Sequence, residues 1–329
     1  MDGIDACVRE VRKQIGAGAD WIKVGSILPL YKIQLKIHSL FRSMQVNKRS
    51  RNTSRFQILI LDYSDYSCRS RTSDVMPTVS AEAIATFNTE ELSAIITTAH
   101  ARGVKVAAHA NTSGVIDTLL DLGVDSIEHG SEIYDIGDGN KNFLRKFVKG
   151  NGRTIWVPTL AVYYTQSLSG SLQSQKRWER CKMSFAEVLR LGMENIACGG
   201  DTGVFAHGQN ALELVLMRQL GAPWDRVLSW ATYGGWKCVR GMEWEGVEGE
   251  RRIRNVKNLQ MSELFQDTIL ERGIPFGVIR PGWAGDLIGI EGKLDGTVEE
   301  FEKALVGGVK FVMKGGKAYK RDGQEILGV

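Results

Sequence analysis

Short apolar runs alternate with amphipathic stretches over most of the chain, and glycines stand at the joins. The pattern is clearest over residues 104–130. Residues 104–108 are too short for a buried helix and follow Gly103, so they predict a parallel strand. Residues 112–122 place Val115, Ile116, Leu119, Leu120 and Leu122 at the spacing of an amphipathic helix, which Gly123 stops. Residues 124–127 predict the next strand. Each of these strands runs into a histidine, His109 and His129.

The same rhythm extends to both sides. Residues 5–16 predict a helix and Trp21–Val24 a strand that carries Lys23. Asn88 or Thr89 caps a helix reaching Arg102, with Glu90 and Glu91 in the first turn where they suit the helix dipole. A helix at Lys141–Lys149, a turn at Asn151-Gly152 and a strand at 154–157 follow. A helix at 176–191 then leads to a strand at 195–198 that ends in Gly-Gly-Asp201-Thr-Gly. Further helices are predicted at 210–220 and 223–232. From Pro275 the pattern changes to short strands at 286–290, 309–313 and 317–320, the last two flanking a Gly315-Gly316 hairpin.

This succession of helix, glycine and strand is a degenerate β/α repeat. The domain reading has five parts. Residues 1–24 open an α/β barrel with a helix and the lysine strand. Residues 25–60 are a basic insertion, solvated or non-native, and residues 61–240 carry the rest of the barrel. Residues 241–274 are a charged surface excursion, and residues 275–329 form a small C-terminal β subdomain.

Composition changes this picture little. The apolar and charged fractions, 43% and 24%, are those of a soluble globular chain. The net charge of +4 invites a nucleic-acid reading, but residues 25–60 hold seven of the 42 Lys and Arg and no Asp or Glu. Without that stretch the balance is 35 basic to 38 acidic residues, so neither a nucleic acid nor a membrane is expected as partner. The five cysteines are scattered and form no Cys-x-x-Cys pair, which favours a reducing compartment and a cytoplasmic location. No signal peptide or membrane-spanning run is evident.

The chemistry gathers at the strand ends. Lys23, His109, His129 and Asp201 each sit in or just after a predicted strand, and the carboxyl ends of parallel strands are where ligands and catalytic groups collect. Taken singly, Lys23 could snorkel from a strand end and Asp201 could cap a turn between glycines. Taken together, two imidazoles and a carboxylate suit zinc or a similar divalent ion. A lysine cannot bind metal as an ammonium, but as a neutral amine it takes up carbon dioxide to give a carbamate with two ligating oxygens. Asp201 is then placed to accept a proton from a metal-activated water. Asn111, Tyr163 and Tyr164 are placed on candidate pocket loops, and His207 is a further substrate-pocket candidate.

The order of these strands resembles the metal-dependent amidohydrolase superfamily. The wording is most similar to its imidazolonepropionase-like branch, with prolidase-type and ochratoxinase-like enzymes. The resembling segments are Gly-Ala-Asp-Trp-Ile-Lys23-Val, Val-Lys-Val-Ala-Ala-His109-Ala, Val-Asp-Ser-Ile-Glu-His129-Gly, Val-Pro-Thr-Leu160 and Gly-Asp201-Thr-Gly followed by His207-Gly. The resemblance implies a (β/α)8 TIM barrel, incomplete here and holding strands 4 to 8, with a C-terminal β-sandwich. It implies Lys23 as a carboxylated bridging lysine, His109 and His129 as ligands of one metal, and Asp201 as ligand and proton shuttle. Members carry two zinc ions and a His-x-His pair on the first strand, and this sequence contains no such pair. At most one metal is therefore expected, with impaired hydrolysis of a C–N bond in a small molecule or dipeptide. A lactone or phosphoester hydrolase, or an inactive remnant, are the alternatives. Strand edges left unclosed call for a partner, a second copy of the chain among the options.

Overall fold

The computed structural model describes residues 3–24, 87–134, 141–149, 153–256 and 274–326. The basic insertion at 25–60, the stretch at 61–86, the Asn151-Gly152 turn and residues 257–273 lie outside the described residues. The chain falls into two compact units, Met1–Ala110 and Asn111–Val329.

In the first unit, helix α1 (Ile4–Gly16) buries Cys7 and Val11 and packs on helix α2 (Thr89–His100). A capping box starts α2. Asn88 Oδ1 accepts from the Glu91 backbone N–H at 2.8 Å, and Glu91 Oε2 accepts from the Asn88 N–H at 2.9 Å. The other Glu91 oxygen accepts from Gly3 N–H at 2.8 Å, which ties the start of α1 to the same carboxylate. Strand β1 (Trp21–Val24) pairs in parallel with β2 (Lys105–Thr112), Lys23 opposite Ala107. Lys105 is buried with its ammonium 5.4 Å from the centre of the Trp21 ring, the apolar stem covered and the charge over a π face.

In the second unit, helix α3 (Ser113–Asp121) precedes β3 (Ser126–Glu132), which pairs in parallel with β4 (Ile155–Val157). Helix α4 (Lys141–Lys149) lies between them in sequence and holds Lys146 against Asp117 and Asp121 at 2.6 and 2.7 Å. After helix α5 (Leu160–Ser167) and helix α6 (Leu172–Arg190), the predicted strand at 195–198 reduces to one parallel bridge, Ile196 with Trp156. Its other side is occupied by helical backbone. Helix α7 (Ala211–Gln219) and helix α8 (Trp224–Ser229) lead into a π-helical turn (Trp230–Gly234) and helix α9 (Gly235–Val239). A Cβ at Gly234 would stand 2.4 Å from the Ile196 carbonyl oxygen, so only glycine allows this approach.

Two expectations change here. Residues 241–256, read as surface, form a 3-10 turn (Met242–Trp244) and helix α10 (Gly246–Asn255). Trp244 and Val256 are buried there with Trp236 and Trp283. Aromatic surface is the reason: a charged run that contains Trp244 gains more by burying the indole than by solvating it. The C-terminal strands β5 (Leu287–Ile290), β6 (Val309–Lys314), β7 (Lys317–Arg321) and β8 (Gln324–Glu325) form one antiparallel sheet rather than a sandwich. Helix α11 (Val298–Gly307) belongs to the same region, capped by Thr297 and Glu300, and it buries Phe301 and Ala304. This helix takes the place of a second apolar layer.

Candidate active site

His129 lies one residue beyond the last rung of the β3–β4 pairing, which ends at Glu128 and Val157. Its backbone is left-handed, φ 79°, and so is that of Gly130, φ 65°. The turn points the imidazole into buried surroundings, where the side chain is 5% exposed. A Cβ at Gly130 would meet Trp156 Nε1 at 2.9 Å, and that same indole N–H donates to the His129 carbonyl at 2.9 Å. The Trp156 ring thus fixes the backbone on both sides of the turn. Nδ1 of His129 is 2.8 Å from Thr159 Oγ1. The Thr159 hydroxyl thus helps set the orientation of the ring.

Thr159 lies two residues past β4 and is also left-handed, φ 51°. It occupies the N-cap position of helix α5 (Leu160–Ser167), yet its side chain makes no cap hydrogen bond. The first two helical N–H groups donate instead to Glu213 on α7, Leu160 to Oε1 at 3.0 Å and Ala161 to Oε2 at 2.7 Å. Glu213 is 1% exposed. Burial pushes its carboxyl up to about 8, against the two backbone donors, which pull it down. The Cys181 and Cys198 thiols are held well above their usual range by burial first and by Glu213 second.

Asp201 follows the Ile196 bridge and is the third left-handed residue, φ 55°. The two glycines before it sit close against neighbouring side chains, which a Cβ would displace. A Cβ at Gly199 would reach Val157 Cγ1 at 2.7 Å, and one at Gly200 would reach Phe205 Cζ at 2.8 Å. Asp201 and His207 are both exposed. His109, in the first unit, lies one residue beyond the last β1–β2 rung, and both it and Lys23 are partly exposed.

The pocket-loop expectations need correction. Tyr163 and Tyr164 lie on helix α5, not on a loop. Tyr163 and Asn111 are buried: Asn111 Oδ1 accepts from Tyr163 Oη at 2.8 Å and from Ser131 Oγ at 2.9 Å. A hydroxyl and an amide so engaged brace the wall beside His129. The Tyr163 ring stands edge-on to the imidazole at 6.1 Å. Tyr164 packs edge-on to Trp178 at 5.7 Å. A helix was missed because Val162, Tyr163, Tyr164 and Thr165 are indifferent helix formers. Glu213 and Thr159 were missed as well. The signal for Glu213 was a lone acid in the apolar run Ala-Leu-Glu-Leu-Val-Leu-Met. Thr159 gave no signal before its hydroxyl was placed.

No family model matches the sequence, and no curated protein does. Solved structures do match. A Xaa-Pro dipeptidase with bound methionine in its active site aligns over 97% of this chain and 59% of its own, at 21% identity and a TM-score of 0.57. Ochratoxinase of A. niger aligns over 98% and 56%, at 20% identity and a TM-score of 0.63. The chain shares the fold of these hydrolases. A putative prolidase from Bifidobacterium longum gives 98% and 61% coverage, 18% identity and a TM-score of 0.57. The likeness is one of fold, an α/β arrangement with a parallel and an antiparallel sheet. The chain spans about three fifths of the length of the structures it matches.

The resemblance read from the sequence implies a divalent metal. Among the described residues no group of three or more His, Cys, Asp or Glu stands close enough to hold one. The donor types are present in the sequence, but they are not assembled into a metal cluster within the described residues. No helix there is long and apolar enough to cross a membrane.

Proposed function

We propose that this chain is an amidohydrolase-type enzyme whose reaction is hydrolysis of a C–N bond, amide or cyclic amide, in a small molecule or dipeptide. The observation that carries the reading is the left-handed backbone at His129, Thr159 and Asp201, each placed just past a successive parallel segment of the second unit. Backbone of that kind at non-glycine residues costs on the order of 1 kcal/mol each and persists where a site over-determines it. The solved hydrolases of like fold, the Xaa-Pro dipeptidase among them, point to amide substrates.

In this reading the His129 imidazole, held at Nδ1 by Thr159, presents Nε2 to the reacting group. The exposed Asp201 carboxylate takes a proton from water and returns it to the leaving amine. Lys23, His109, His129 and Asp201 are the residues that resemblance assigns to a zinc ion. The sequence lacks a His-x-His pair, so one weakly held ion and little turnover are expected.

The test combines zinc titration by calorimetry with an assay on Xaa-Pro dipeptides and blocked amino-acid amides. Expected is weak binding of one zinc, lost in His129→Ala, with any slow turnover abolished by Asp201→Asn. Zinc binding indifferent to both His109→Ala and His129→Ala would sink the site. Two tightly held ions with brisk turnover would overturn the impairment.

A further inference from the structure

We propose that Glu213 is a positioning residue for His129, acting through the first turn of helix α5 and the Thr159 hydroxyl. The reasoning is one of competition. An N-cap threonine ordinarily turns its hydroxyl to the free N–H groups of the helix it starts. Thr159 is the N-cap of α5, but its hydroxyl lies 2.8 Å from His129 Nδ1 and makes no bond to the helix. What frees it is that the Leu160 and Ala161 N–H groups are already taken, by the two oxygens of Glu213 at 3.0 and 2.7 Å.

Without those acceptors, two buried donors would be left unpaired, and a capping threonine hydroxyl is suited to take the second of them, the Ala161 N–H. Its backbone would leave the left-handed region, φ 51°, for the extended one that a capping threonine prefers, and the imidazole would lose its Thr159 contact at Nδ1. Glu213 therefore holds His129 without touching it. The link is remote in sequence, since Leu160 and Glu213 stand 53 positions apart.

The inference rests on reading His129 as a site residue, and its readout needs neither substrate nor metal, so a chain without hydrolase activity would leave it standing. Imidazole nitrogen–proton correlation spectra of the full chain report the tautomer and ring environment of His129 directly. Thr159→Val should shift the His129 ring signals, and Thr159→Ser should leave them near their wild-type positions. Glu213→Gln, which turns one acceptor into a donor facing a donor, should shift them in the same direction as Thr159→Val. The double variant should shift them no further than Thr159→Val alone. His129 signals that stay in place in a cooperatively folded Glu213→Gln, or shifts that add in the double variant, would overturn the proposal.

If Glu213→Gln does not fold, the wild-type protein supplies the same test. The Glu213 carboxyl ionises near pH 8, while the thiols facing it, Cys181 and Cys198, are pushed well above that. Raising the pH from about 7 to about 9 should move the Leu160 and Ala161 amide signals and the His129 ring signals together. Amides that move while the His129 ring stays still would equally overturn it.

Discussion

Helices α2 and α5 begin in opposite ways. At α2 the cap is local, since Asn88 and Glu91 exchange hydrogen bonds across three residues and satisfy each other's backbone. At α5 the residue in the cap position is a threonine, suited to the same task, but its hydroxyl serves His129 and an acid 53 positions away caps the helix. The first start serves the helix alone. The second couples a helix, a strand end and a buried acid, and the coupling falls where the chemistry is read. A side chain withheld from its local role marks a site that local structure alone would not build.

The comparison breaks most sharply at Glu213. Glu213→Ala leaves two buried N–H groups without acceptors, and a loss of about 3 kcal/mol is expected in denaturant unfolding. A loss no larger than that of Asn88→Ala would make the two caps equivalent. A second difference is pH. The folded Glu213 carboxyl sits up at about 8, above its ordinary value of 4.5, so its folded form keeps a proton that the unfolded chain gives up. Its contribution to stability is full below pH 4.5 and is lost as the pH rises to about 8, at no more than about 1.4 kcal/mol per pH unit. Glu213→Gln should flatten that slope in urea titrations run across the window, and an unchanged slope would assign it to other groups.

Smaller effects follow from the local caps. Asn88→Ala should cost about 1 kcal/mol, read from the thermal midpoint, and its effect should not depend on the residue at 213. Coupling between the two positions would mean that the caps are not independent. Thr297→Ala removes the cap of α11, whose hydrogen bonds are exposed to water, and should give the smallest change of the set.

The same contrast explains what could be read from the sequence. Helix Lys141–Lys149 and strand Trp21–Val24 were legible to the residue, because period and glycine stops are local signals. The α2 cap was legible for the same reason. The placement of His109 and His129 on successive strands followed from the β/α rhythm. Helix α5 was not legible, since its first turn is completed by Glu213 and its residues have little helical preference of their own. Helix α11 carried a readable signal, Thr297-x-x-Glu300, but the hairpin around Gly315-Gly316 drew the whole region into a β reading. The left-handed backbone at His129, Thr159 and Asp201 was hidden, because the usual marker for it is glycine and none of the three is one.

That last feature bears on how this chain can drift under mutation. At an exposed position such as Asp201, with φ 55°, glycine is the residue the backbone accepts most readily. Random change filtered for foldedness alone would therefore lead toward glycine there and meet little resistance. The backbone therefore does not by itself require an aspartate at this position. Glycine variants at 201 recovered freely from a library sorted for folding, and purged from one sorted for hydrolysis, would separate the two pressures.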